Sequence, residues 1–113
     1  MLPKENRLPS PQIKTVMRRG KRVSTQGVQL IYTQNNLPLS RFAFVVPKAV
    51  DKRAAIRNRL KRLTRESVRL ALGSLAPGWD GVFMVRKGLG DEFASVNACV
   101  RDLLRRAGLI SQE

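Results

Sequence analysis

Residues 41–69 read RFAFVVPKAVDKRAAIRNRLKRLTRESVR and hold the end of one element and most of the next. Arg41-Phe42-Ala43-Phe44-Val45-Val46 is an aromatic and β-branched run of strand length, and Pro47 ends it because proline lacks the N–H a ladder needs. Asp51 then stands as a candidate N-cap for a long helix running to about Leu72, with Gly73 as its stop. Ile56, Leu60, Leu63 and Leu70 keep helical spacing, which predicts a buried stripe. On the other side Arg53, Arg57, Lys61, Arg65 and Arg69 stand four apart in one row. Each like-charge pair at that spacing destabilises a free helix by roughly 0.2–0.5 kcal/mol, and only Glu66, four after Arg62, offers a local offset. Over residues 52–69, eight cations (Lys52, Arg53, Arg57, Arg59, Lys61, Arg62, Arg65, Arg69) meet one acid, a balance of +7 and half of the chain's +14. A helix that needed only solubility would intersperse acids, so the row predicts a nucleic-acid face. Six of the eight are arginines, whose guanidinium fork grips phosphate bidentately and stacks on bases. Asn58 either supplies a donor and an acceptor to that face or is a solvent-facing polar residue.

Upstream, Val28, Leu30 and Tyr32 alternate with Gln29, Ile31 and Thr33, so 22–33 reads as strand. Gln34-Asn35-Asn36-Leu37-Pro38 is turn chemistry, and with the strand at 41–46 it predicts an antiparallel hairpin. Ser10 and Pro11 form a helix-start signature, and Ile13, Val16 and Met17 give 11–19 an apolar face that Gly20 can end. Residues 1–9 are expected as an extended arm. Downstream, the loop at 74–78 leads to a strand at about 80–86, and Asp91 is a candidate cap for a last helix. That helix carries Phe93, Val96, Val100, Leu103, Leu104 and Ala107 on one face and ends at Gly108. Trp79, the single tryptophan, is most simply a packing residue. The order of helix, two or three strands, helix, strand, helix predicts a mixed α/β sheet layered with helices. If the strands at 41–46 and 80–86 were parallel neighbours, a right-handed crossover would be the default.

The 113 residues fit one domain, residues 1–113, with a single core. A charge of +14 on so small a body calls for a polyanion, and nucleic acid is the usual one. There is no histidine, the commonest general base and metal ligand, and the single cysteine, Cys99, can form neither an internal disulfide nor a structural zinc site. The acids (Glu5, Asp51, Glu66, Asp80, Asp91, Glu92, Asp102, Glu113) mostly stand singly, whereas two-metal nuclease chemistry needs carboxylates converging on ions roughly 4 Å apart. A self-contained nuclease is therefore disfavoured. No membrane-length apolar run and no signal-peptide stretch is visible, so the expectation is a cytoplasmic protein without a membrane partner.

The string Arg57-Asn58-Arg59-Leu60-Lys61-Arg62-Leu63-Thr64-Arg65-Glu66-Ser67 resembles the signature of the bacterial ribonuclease P protein subunit. The resemblance extends to Asn6-Arg7-Leu8, Gly20, Arg41 through Lys48, and Asp80 through Lys87, or about residues 5–107. It implies an α/β (α+β) two-layer sandwich, similar to the second domain of a small-subunit ribosomal protein, with the basic helix on a left-handed crossover that overrides the default. It also implies a protein with no active site or cofactor of its own, which binds a catalytic RNA as a 1:1 complex. That RNA, with Mg2+, removes the 5′ leader of precursor tRNA by phosphodiester hydrolysis. Carried onto this chain, the RNA-binding set comprises Lys48, Arg57, Asn58, Arg59, Lys61, Arg62 and Arg65, beside Lys52, Arg53 and Arg69 of the same basic run. A leader cleft between the first helix and the sheet would use Ile13, Met17, Tyr32 and Phe44. Two departures stand out. Ile13 and Met17 occupy positions where family members commonly carry aromatics, leaving Tyr32 as a stacking candidate or simply a sheet aromatic. Lys48-Ala49-Val50-Asp51 stands where many members have two lysines and a glycine. The alternative is a general RNA-binding protein of ribosomal or nucleoid type, which charge alone would favour.

Overall fold

The computed structural model describes residues 2–110; Met1 of the expected arm and Glu113 of the acid set lie outside them. Helix α1 spans Ser10–Arg19, strands β1, β2 and β3 span Lys21–Thr25, Val28–Gln34 and Arg41–Val45, helix α2 spans Ala54–Ala71, strand β4 Trp79–Val85, and helix α3 Phe93–Arg106. Short 3-10 turns occupy Lys4–Asn6 and Leu72–Ser74.

The run expected as one strand at 22–33 is a tight hairpin, β1 to β2, closed by Gln26-Gly27 with Thr25 opposite Val28. Gly27 has φ +88°, and a Cβ there would lie 2.4 Å from the backbone nitrogen of Leu89, so only glycine makes this turn. The expected hairpin between β2 and β3 does not form. The sheet order is β1-β2-β4-β3, and β4 enters between the two, antiparallel to β2 (Leu30 opposite Phe83) and parallel to β3 (Phe44 opposite Phe83). The reason is hydropathic: Val82-Phe83-Met84-Val85 is apolar on both faces, which suits a central strand and not an edge. The β3–α2–β4 passage is thus a parallel crossover in a four-stranded mixed sheet, the mixed α/β arrangement expected.

Strand parity sorts the core. Val28, Leu30, Tyr32, Phe42 and Phe83 point to the layer built by α2 and α3, where Val68, Ala71, Val96, Val100, Leu103 and Leu104 meet them. Ile31, Ala43 and Val82 point the other way, against Val16 of α1 and Leu8. The N-terminal segment is docked along the outer edge of β3: the Leu8 N–H donates to the Phe42 carbonyl at 2.9 Å, and Leu2 and Leu8 are buried. It covers a strand edge that would otherwise present unpaired backbone groups.

Helix ends depart from the expected caps. Pro9, Arg53 and Glu92 occupy the N-cap positions, and no side chain bonds the first turns, so Ser10, Asp51 and Asp91 do not cap. Asp51 lies two residues before the N-cap and accepts from the Arg53 N–H at 2.8 Å instead. Gly20 ends α1 by close approach, since a Cβ there would lie 2.6 Å from Ile31. The buried stripe of α2 runs through Leu60, Thr64, Ser67, Val68 and Ala71, while Leu70 is 53% exposed. Two stripe positions are polar but satisfied: Thr64 donates to the Leu60 carbonyl, and Ser67 donates to Asn97 at 2.6 Å. Trp79 packs on Tyr32 with ring centres 5.7 Å apart.

Asp80, 5% exposed, opens β4 and ties three elements together. Arg41 donates to both of its oxygens at 2.9 and 2.8 Å, and Asn35 donates to one at 2.8 Å. Asp80→Ala leaves the Arg41 guanidinium without its carboxylate, and we expect a loss on the order of 2–3 kcal/mol in urea unfolding. A loss near zero would show that the strand ends hold without this junction.

Candidate RNA-binding surfaces

Four of the helix-associated arginines already have partners. Arg53 precedes α2 and pairs with Asp51 at 3.0 and 2.9 Å, so it is not part of the helical row. Arg57 donates to the carbonyls of Asp51 and Lys52 at 2.9 and 2.8 Å, lacing the turn that enters the helix. Arg59 reaches across to the Asp91 carbonyl at 3.0 Å. Arg69 forms a bidentate pair with Glu66 at 2.9 and 2.5 Å, so Glu66 offsets Arg69 and not Arg62. These hydrogen bonds hold the Glu66 carboxyl below its usual range and hold Asp51 at about 2.

Lys48, Lys52, Lys61, Arg62 and Arg65, with the amide of Asn58, make no side-chain hydrogen bond or ion pair among the described residues. Asn58, Arg59 and Arg62 are exposed, whereas Arg57, Lys61 and Arg65 are half-buried on the shoulder of α2 that faces β3. Lys61 and Arg65 there line a cavity with Leu2, Arg7, Phe42 and Phe44. Cations without an internal carboxylate remain available to phosphate oxygens, so α2 offers one cationic face.

The expected leader cleft is divided by the sheet. Ile13 and Met17, both half-buried, lie on the α1 side with Val45 and Met84 over Ile31, Ala43 and Val82. Tyr32 and Phe44 lie on the opposite face, Tyr32 against Trp79 and Phe44 stacked on Phe83 at 5.6 Å and 6°. The period of two puts Ile31 and Tyr32 on different faces, so the four cannot line one cleft. On the α1 side, the sequence reading omitted a polar rim. Arg22 and Arg86 both donate to the Gln29 amide oxygen, at 3.3 and 3.0 Å, and Arg22 also donates to the Met17 carbonyl at 2.6 Å. Parity could have found it, because Gln29 shares a face with Ile31, and Arg86 with Val82 and Met84. The result is an apolar floor of aliphatic and methionine side chains with two guanidinium groups at its edge that share the Gln29 amide oxygen.

The Ribonuclease P family model matches residues 2–108. This chain belongs to the ribonuclease P protein family. It is 38% identical over 107 residues to the ribonuclease P protein component of Roseiflexus castenholzii, covering 92% of this chain and 87% of the relative. It is 43% identical over 89 residues to the component of Histophilus somni, covering 78% and 74%. The RNase P protein of Thermotoga maritima superposes with a TM-score of 0.80 at 28% identity, over 88% of this chain and 96% of that one. An RNase P protein mutant of Staphylococcus aureus shares the fold at a TM-score of 0.87 and 18% identity, over 95% and 92%. As a ribonuclease P protein component, the chain is a subunit of an endoribonuclease that works with an RNA subunit in tRNA 5′ processing.

The two kinds of arginine on α2 should behave differently. Arg62→Ala should leave thermal unfolding unchanged, whereas Arg57→Ala, which unlaces the helix entry, should lower stability by about 1–2 kcal/mol; equal melting curves would contradict the division. Asp51 has a folded pKa depressed from 3.8 to about 2, so its pairing contributes stability above pH 3.8 and loses it as pH falls through about 2. The stability gap between wild type and Asp51→Asn should therefore be constant above that window and close within it, as followed by denaturant titration at stepped pH.

Proposed function

We propose that this protein holds the catalytic RNA of ribonuclease P on the α2 face and takes the 5′ leader of precursor tRNA along the α1 face. The observation that carries the reading is the set of cations on and beside α2, Lys48, Lys52, Lys61, Arg62 and Arg65, for which the described residues supply no carboxylate. Arg57, Arg59 and Arg69 brace the same surface, and Asn58 adds a donor and an acceptor between two of them.

Two polyanions, the catalytic RNA and the precursor, repel each other along their phosphates. A body of net charge +14 placed between them offsets that repulsion and holds the leader in register with the cleavage site. Ile13, Met17, Val45 and Met84 offer leader bases apolar contact, and Arg22 and Arg86 face the leader phosphates. The chemistry belongs to the RNA subunit, which uses magnesium for phosphodiester hydrolysis; among the described residues no group of three or more His, Cys, Asp or Glu comes together to ligate a metal. The protein's part is electrostatic and positional, as a monomer in a 1:1 complex with the RNA in the cytoplasm. No helix among the described residues is long and apolar enough to cross a membrane.

Cleavage of precursor tRNA tests this reading. The protein alone should cut nothing, the catalytic RNA alone should be slow at low magnesium, and the two together should be fast. Unaided cutting would point to a nuclease, and RNA binding without any gain in cleavage would point to a general RNA-binding protein.

A further inference from the structure

On the α2 side of the sheet, Leu2, Arg7, Phe42, Phe44, Lys61 and Arg65 line a cavity of about 230 Å³. It is smaller than the roughly 300–1,000 Å³ of sites for drug-sized ligands, which leaves room for one ring system and not two. Its walls are aromatic and aliphatic, its rim is three cations, and no carboxylate lines it. Lys61 and Arg65 have no hydrogen-bond partner among the described residues, and Arg7 uses only its Nε, on the Leu2 carbonyl at 3.0 Å. Phe44 is half-buried and lies flat on Phe83, 6° from parallel, so its ring is already fixed in orientation. A fixed aromatic wall under a cationic rim matches a base with phosphates on either side.

We propose that this cavity receives one unpaired nucleotide of the catalytic RNA, its base against Phe44 and its phosphates on Arg7, Lys61 and Arg65. The inference rests on the reading that α2 faces the catalytic RNA. Arg62 and Arg65 belong to one helix, so the cavity opens beside that cationic face. The α1 groove, the surface for the leader, is on the other side of the sheet, which assigns the nucleotide to the catalytic RNA and not to the precursor.

The test uses the full chain and the catalytic RNA, with binding measured across a salt series and base reactivity probed chemically on the RNA. Phe44→Leu keeps an apolar side chain but removes the ring; it should weaken binding roughly 5- to 150-fold with the salt slope unchanged. It should also unmask one unpaired nucleotide that the wild-type protein protects, and Phe44→Tyr should restore both. Arg65→Gln, which breaks no hydrogen bond or ion pair among the described residues, should lower the salt slope by about one phosphate contact and so reports on the same site if Phe44→Leu is poorly folded. Unchanged affinity and unchanged protection with Phe44→Leu and Arg65→Gln overturn the cavity alone. Protection that arises only on the precursor leader also overturns it. A wild-type protein that fails to bind the catalytic RNA overturns this proposal together with the functional reading beneath it.

Discussion

A strand buried on both faces must find hydrogen-bond partners on both edges, and Trp79–Val85 does so by entering between two strands that precede it in sequence. It pairs antiparallel with Val28–Gln34 and parallel with Arg41–Val45, and Asp80 fastens its start to Arg41 and Asn35. The parallel pairing obliges the chain to cross over the sheet between Val45 and Trp79, and the crossover is the arginine-rich helix. Once β4 is central, alternate residues divide between two covered faces: Phe83 toward α2 and α3, Val82 and Met84 toward α1. The placement of two surfaces back to back, one on α2 and one beside α1, follows from that insertion.

Charge sets the second constraint. The chain carries 22 basic residues against 8 acidic ones, and several of the acids are each held by an arginine. Asp80 secures a strand junction, Asp51 the entry to α2, and Glu66 its C-terminal half, each with one arginine. Backbone carbonyls take two further arginines, Arg57 and Arg59. The remaining cations of α2, Lys61, Arg62 and Arg65, have no carboxylate partner among the described residues. Repulsion along the row is thus relieved at both ends of the helix and left unrelieved in the middle, at Lys61, Arg62 and Arg65, the positions the proposed function assigns to RNA phosphates.

Much of this was legible in the sequence, and the gaps have physical causes. Helix spacing located α1, α2 and α3, and the cations standing four apart located the basic face, although Arg53 precedes the helix and falls outside the row. The partner of β3 was not legible, because adjacency in sequence favours a β2–β3 hairpin while the doubly apolar run at 82–85 favours a central strand, and tertiary pairing decided for the latter. Gln26-Gly27 carries a weaker turn signal than Asn-Gly, so one strand was read where two stand. Leu70 fits helical spacing yet is exposed, because Thr64 and Ser67, satisfied by hydrogen bonds, occupy the buried stripe that an apolar count passes over. The cleft implied by the family resemblance groups Tyr32 and Phe44 with Ile13 and Met17, and strand parity separates them.

The central claim is that two RNAs use opposite faces of one sheet, and it is tested most directly by leader-length dependence. Holoenzyme affinity would be measured for precursor tRNA with a long leader and for mature tRNA, in wild type and in Arg86→Gln. Arg86→Gln should weaken binding of the leader-bearing RNA while leaving mature tRNA and catalytic-RNA affinity at wild-type values. An equal loss for all three RNAs would contradict a division of labour between the faces.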